Sequence, residues 1–225
     1  MRRAALVLLL VLSGLLLPRI ASAQVHWDAS VQVGVMKRFL ANKPPQGADA
    51  SFGPTGQITA HLALLPLIHA GAYLGHDISP APSDTARNIT FTGLRAKANL
   101  PIGASKFRGW AFLGFGIAFV YQQSVERTLF VPVPGTGNTE RRDVTLTGGG
   151  GRFFEIPFGV GASYKLRKPW ELCAELGARV GLGHSGSVYD QGVQITAPGI
   201  INQNAEPFGV DRFALGLTVG VMLDL

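Results

Sequence analysis

The sequence predicts an all-β protein, an eight-stranded antiparallel up-and-down transmembrane β-barrel. Three observations carry that prediction. Apolar residues alternate with polar or small ones at period two in segments of about ten or more residues. The glycines collect on the polar parity of those segments, and the connections between segments alternate long and short along the chain.

The first 23 residues stand apart. Arg2 and Arg3 precede an apolar run from Ala4 to Leu17, and Ala21-Ser22-Ala23 supplies small residues for cleavage before Gln24, the form of a secretory signal peptide. The run falls short of the roughly 20 residues a bilayer-spanning helix needs, and Pro18 and Arg19 interrupt it. Three of the 20 basic residues, Arg2, Arg3 and Arg19, lie there, so half of the formal +6 charge belongs to the signal rather than to the barrel domain, residues 24–225. An exported chain with no basic helix and no zinc spacing gives no support to a nucleic-acid partner. One Cys excludes an intrachain disulfide framework, and a hydrophobic content of 47% excludes a disordered tail.

No later stretch reaches 18 uncharged apolar residues, so the spans are strands. The first sets Trp27, Ala29, Val31, Val33, Val35 and Phe39 against His26, Asp28, Ser30, Gln32, Gly34 and Arg38. The second sets Ile58 to Leu64 against Gln57, Thr59 and His61, and the third Ile68 to Leu74 against His69, Gly71, Tyr73 and Gly75. The fourth opposes Leu94, Ala96, Ala98 and Leu100 to Arg95, Lys97 and Asn99, and the fifth Leu113 to Tyr121 to Phe112, Gly114, Gly116 and Ala118. In the sixth Phe154, Ile156, Phe158, Val160, Ala162 and Tyr164 face away from Glu155, Gly159, Gly161, Ser163 and Lys165. In the seventh Trp170, Leu172, Ala174, Leu176, Ala178, Val180 and Leu182 face away from Glu171, Cys173, Glu175 and Arg179. The eighth sets Phe213 to Leu225 against Arg212, Ala214, Gly216, Thr218, Gly220, Met222 and Asp224.

Alternation is common to a soluble sandwich and a membrane barrel, and the glycines separate them. A solvent face has no reason to shed side chains, whereas the lumen of an eight-stranded barrel is barely wide enough for those it holds. The polar face is therefore the crowded inside. The expected connections are 41–54, 65–67, 76–88, 101–108, 122–151, 167–169 and 184–209, so the external loops are 41–54, 76–88, 122–151 and 184–209 and both chain ends fall on the periplasmic side. Trp27, Tyr164 and Trp170 suit a periplasmic aromatic rim, and Phe39, Phe119, Tyr121, Phe154 and Phe213 an external one; Trp110 departs from the pattern, its parity pointing inward.

With these features the chain resembles the small eight-stranded bacterial outer-membrane barrels of the OmpX and OmpA-membrane-domain kind. The resemblance covers residues 24–225 and rests on architecture. Its most specific piece is the last strand, where the family's insertion signal reads Thr218-x-Gly220-x-x-Leu223-x-Leu225, with Leu in place of the customary terminal Phe. The resemblance implies localisation in the bacterial outer membrane and reading of this strand by the barrel-assembly machinery. It also implies contact with outer-membrane lipid and lipopolysaccharide.

The expected luminal charges are Asp28, Glu155, Glu171, Glu175 and Asp224 against Arg38, Arg95, Lys97, Lys165, Arg179 and Arg212, with Lys165 opposite Glu171 and Glu155 diagonal to Arg179. Such pairs form a structural plug or, if they exchange partners, a gate on a narrow ion path. A wide porin is excluded by strand number. The lipid A deacylase barrels use His and Ser two residues apart; the nearest match, His184-Ser185-Gly186-Ser187, has spacings of one and three, which removes the triad geometry. No cofactor is expected, His26, His61 and His69 are read as luminal filler rather than metal ligands, and Cys173 as a packing residue. Loop 122–151 offers a hairpin, Thr128-Leu129-Phe130-Val131 returning as Asp143-Val144-Thr145-Leu146, whose edge could pair with a partner strand and whose Arg141 and Arg142 could meet lipopolysaccharide. Apolar Val193, Ile195, Ile200 and Ile201 of loop 184–209 offer a further contact. The leading expectation is a non-enzymatic surface or envelope component, alone or within a larger complex, that binds an envelope protein through its loops. A gated small-solute pore and a lipid-modifying enzyme are the alternatives.

Overall fold

The computed structural model describes residues 26–41, 52–80, 86–100, 106–132, 139–190, 194–197, 200–204 and 210–225. The signal peptide expected over residues 1–23 lies outside them. Eight strands close a barrel: β1 (Trp27–Ala41), β2 (Phe52–Leu65), β3 (Ile68–Pro80), β4 (Ala86–Leu100), β5 (Phe107–Gln122), β8 (Gly150–Arg167), β9 (Trp170–Ser185) and β12 (Val210–Asp224). Between them come β6 (Val125–Pro132), β7 (Thr139–Thr147), a single-turn helix α1 (Ser187–Asp190), β10 (Gln194–Ala197) and β11 (Ile200–Asn204). Around the barrel the order is β1-β12-β9-β8-β5-β4-β3-β2, each strand antiparallel to both neighbours, and β1 zips to β12 from Asp28↔Asp224 to Ala41↔Val210.

The two faces of one strand show why the fold needs lipid. On β1, Val31 and Val33 are 59% and 62% exposed while Asp28 and Gln32 are 1% exposed. Such an arrangement is stable only where the surrounding solvent is hydrocarbon and closure leaves no unpaired edge. The crowding inferred from the glycines is visible at Gly161, where a Cβ would sit 2.4 Å from the Trp110 indole.

The strands run further outward than the alternation of lipid-facing residues predicts. β3 extends to Pro80 and β4 begins at Ala86, so most of the expected loop 76–88 is strand, and the long-short alternation of connections does not hold at that point. The physical reason is an inversion of polarity along an unchanged pleat. From Leu94 to Leu100, β4 turns apolar residues outward and Arg95 and Lys97 inward; from Asn88 to Thr92 the outward positions are Asn88, Thr90 and Thr92, and the inward ones, Ile89 and Phe91, are fully buried. Ile89 and Phe91 join Tyr73, Ala118, Val120, Phe153, Val188 and Tyr189 in an apolar core. The outer face turns polar here on β4, while neighbouring β5 keeps Phe119 and Tyr121 outward, and each large side chain buried inside contributes about 1.5–3 kcal/mol.

A second correction concerns Arg212. The β1–β12 register steps from Phe39↔Phe213 to Leu40↔Asp211, skipping Arg212. This bulge turns Asp211 into the lumen, 2% exposed, and leaves Arg212 exposed on the outer wall, not among the luminal charges.

Candidate functional site

The lumen is filled by side chains in successive levels. Nearest the periplasmic end, Arg108 pairs with Glu171 at 2.8 Å and with Asp224 at 2.9 Å, His26 reaches Asp224 at 2.9 Å, and Ser163 donates to Glu171 at 2.6 Å. Lys165 and Glu171 are in register as expected, but Glu171 is held by Arg108, and Lys165 makes no ion pair among the described residues. The physical reason is exposure: Lys165 sits half-buried beside the turn, whereas the Arg108 fork reaches across the lumen to two carboxylates.

Above this, Asp28 accepts from Lys97 at 2.7 Å, His61 at 2.9 Å and His69 at 3.0 Å. Arg95 Nε donates to His61 Nε2 and Asn99 to His69 Nε2, so the bonding pattern assigns both imidazoles the Nδ1–H tautomer. Both histidines are thereby committed to protein partners, and no described group of His, Cys, Asp and Glu is arranged to hold a metal. Cys173 is buried, in a small apolar cluster with Trp110, Phe112 and Met222.

At mid-height Arg95 grips Glu175 with two bonds of 2.9 and 2.8 Å, and Glu175 also accepts from Gln57 at 2.9 Å and from the Trp110 indole at 3.1 Å. Trp110, inward by parity, thus has its N–H partnered. Next, Arg179 pairs with Glu155 at 3.2 Å and lies 3.5 Å over the Phe91 ring, while Tyr73 donates to Glu155. At the external end Arg38 and Thr55 bind Asp77, and Arg87 binds Asp211 at 2.7 Å. These partners complete most of the expected charge set, but Arg87, Arg108, Asp77 and Asp211 were not among the sequence candidates. The cavity left among Met36, Tyr73, Glu175 and Arg179 has about 20 Å³ of accessible space, room for about one water.

Helix α1 packs into the external end of the barrel. Val188 and Tyr189 are buried in the apolar core, and the Tyr189 hydroxyl donates to Asp211 at 3.0 Å. Burial and the Asp211 carboxylate raise the Tyr189 phenol above its ordinary pKa, keeping it a donor. Just before α1, Gly183 takes φ +63 and the β8–β9 register skips there, turning His184 inward. His184 stacks on Phe153 at 4.9 Å and its Nε2 donates to the Asp211 carbonyl at 2.9 Å, while Ser187 Oγ bonds Gly150. Imidazole and hydroxyl serve as local ties, without the nucleophile–base contact an acyl-transfer site requires.

Outside the barrel the two longest external connections meet in a four-stranded sheet ordered β11-β10-β7-β6. The expected hairpin is its larger half, pairing Val125↔Leu146 through Pro132↔Thr139, with Phe130 opposite Arg141, Leu129 opposite Arg142 and Val131 opposite Glu140. Arg141 is exposed, and Thr128 donates to Asp143 at 2.7 Å. Residues Ile195, Ile200 and Ile201 fall on β10 and β11, a strand pair within the expected loop 184–209; Val193 lies outside the described residues.

The insertion-signal residues sit on the seam that closes the barrel. Thr218 donates to Gln32 of β1 at 2.6 Å, and at Gly220 a Cβ would lie 2.0 Å from the Val31 carbonyl oxygen, so the backbones approach as only glycine permits. Leu223 pairs with Ala29, and Leu225 and Trp27 exchange backbone bonds of 2.9 Å.

No protein-family model matches the sequence, and no curated protein is similar to it. Solved structures do match. Neisserial surface protein A is 11% identical, with 88% of this chain and 97% of that one covered and a TM-score of 0.52. A major outer membrane protein of Thermus thermophilus is 13% identical, covering 88% of this chain and 99% of that one with a TM-score of 0.45. At these identities the likeness is one of fold, and the lipid-facing band agrees with it. The chain has the fold of the small eight-stranded outer-membrane β-barrels.

Proposed function

We propose that this protein is a closed, non-enzymatic surface barrel whose external sheet, β6-β7-β10-β11, binds another envelope or extracellular protein. The observation that carries the reading is the contrast between inside and outside. The lumen is packed with paired charges, its cavity beside Glu175 and Arg179 has room for about one water, and α1 packs into its external end, whereas the two longest connections build strands beyond the barrel wall. A rigid scaffold that holds a sheet with two terminal strands, β6 and β11, suits recognition by strand addition.

The test is gentle extraction of tagged protein from outer membranes, native mass determination and identification of stoichiometric co-purifying chains, for the full protein and for a variant with Val125–Thr147 replaced by a short turn. The expected result is a complex that the replacement abolishes while the barrel keeps its folded electrophoretic mobility. A full-length protein that is always monomeric and gives unitary conductance in planar bilayers would overturn the reading in favour of the pore.

A further inference from the structure

We propose that Lys37, Arg152 and Arg212 form a site on the outer wall of the barrel for the phosphate groups of the outer-leaflet lipid. The inference is independent of the role of the external sheet. Strands β8, β9, β12 and β1 are consecutive in the barrel. On three of them a cation stands near the external end of the outward apolar run, on β1 with the exposed Phe39 beyond it. Val31, Val33 and Val35 lead to Lys37 on β1; Leu217, Leu215 and Phe213 lead to Arg212 on β12; Phe158, Ile156 and Phe154 lead to Arg152 on β8. Arg152 and Arg212 are exposed, and the Lys37 ammonium lies 5.4 Å from the Phe39 ring and 5.6 Å from the Phe52 ring.

Among the described residues no carboxylate pairs with Lys37, Arg152 or Arg212. The carboxylates of the same external half of the barrel, Asp77, Glu155 and Asp211, all point inward and are at most 2% exposed. The bulge beside Phe39 sets which of the two adjacent charges faces which way, sending Asp211 in and Arg212 out. Cations placed where an apolar wall meets the headgroup layer extend their stems along the wall and their charged ends into that layer. The opposite wall differs. There the outward positions at comparable height on β3, β4 and β5 are His76, Ile78, Thr90, Thr92, Phe119 and Tyr121, with no Lys or Arg there among the described residues. The basic sector therefore covers one side of the barrel, directly above the aliphatic surface that acyl chains would cover, so the ligand is a phosphorylated lipid and not a soluble anion.

The test is native mass spectrometry of the full barrel in neutral detergent, titrated with diphosphorylated lipid A and with the same lipid stripped of its phosphates. The variants are Lys37→Gln/Arg152→Gln/Arg212→Gln and, on the external sheet, Arg141→Gln/Arg142→Gln. The expected result is retention of the phosphorylated lipid by the wild type and a loss of affinity on the order of a hundredfold in the triple variant, about fivefold per cation. Folding is checked by heat-dependent electrophoretic mobility, and each single variant provides a milder step. Equal binding by wild type and triple variant, equal binding of the dephosphorylated lipid, or a loss confined to the Arg141/Arg142 variant would each overturn the proposal.

Discussion

Replacing Arg95 with Met tests whether the lumen is dry. Arg95 is 4% exposed and Glu175 3% exposed, and two bonds of 2.8–2.9 Å join them at mid-barrel. Methionine keeps much of the volume and the contact with Phe112, over which the guanidinium now lies at 4.3 Å. It also leaves the Glu175 carboxylate in the interior with neutral donors alone, the Gln57 and Gln32 amides and the Trp110 indole. Breaking a buried pair from one side costs about 3–5 kcal/mol, because the remaining charge is uncompensated. Adding Glu175→Gln removes that charge while keeping a carbonyl acceptor for Trp110, so the double variant should lose no more than about half as much. The assay is equilibrium urea unfolding of the barrel in lipid vesicles, followed by tryptophan fluorescence and by folded-band electrophoresis. A loss below about 1 kcal/mol for Arg95→Met would mean that water already solvates Glu175, and the closed lumen on which the functional proposal rests would be refuted.

Gly161→Ala places a methyl 2.4 Å from the bonded Trp110 indole and should cost about 1–3 kcal/mol in the same assay, whereas Gly177→Ala, whose nearest contact would be Phe112 at 3.4 Å, should be close to neutral. Cys173, 5% exposed on the luminal face, should resist maleimide in the folded barrel and react once it is unfolded; rapid labelling of folded protein would show an open water path. Because the Tyr189 phenol is raised above its ordinary value, the cap's stability is fully present below about pH 10 and falls as pH rises from there, since the unfolded chain loses that proton first. Tyr189→Phe should remove this alkaline dependence and, by leaving Asp211 without one donor, cost about 1–3 kcal/mol at neutral pH.

The barrel was legible in the sequence because lipid-facing strands must alternate, and the alternation of Val31, Val33 and Val35 with Gln32 and Gly34 has no competing explanation once the glycines are assigned to a crowded interior. Three luminal residues missed in the sequence carried a usable signal. Extending parity backward from Phe112 and Trp110 reaches Arg108, extending it forward from Tyr73 and Gly75 reaches Asp77, and the same pleat run backward from Arg95 reaches Arg87. Arg87, Arg108 and Asp77 lie beyond the stretches in which outward apolar residues alternate without a break, so parity alone marks them. Asp211 and Arg212 had no such signal, since a one-residue bulge exchanges their faces without a change in composition. Nor does strand parity reveal which cation meets which anion: Arg95 and Glu175 lie 80 residues apart and meet only across the lumen of a closed barrel.

The inversion on β4 bears directly on where function sits. Within the membrane, the interior must be polar enough to suit the outward-apolar strands and is therefore a set of paired charges. Once Ile89 and Phe91 turn inward, the external end of the barrel gains an apolar core inside it, shared with Val188 and Tyr189 of α1. That core ties α1, which continues toward β10 and β11, to the barrel wall through Phe153 and Val120. Gly148 reinforces the same junction from the other long connection, its amide donating to Ser124 at 3.0 Å, while Gln122 binds the Gly149 carbonyl at 2.9 Å. The two connections that build the external sheet are thus anchored at their bases by packing and by hydrogen bonds. A sheet so supported is preorganised, and preorganisation lowers the entropy that a binding partner would otherwise have to overcome.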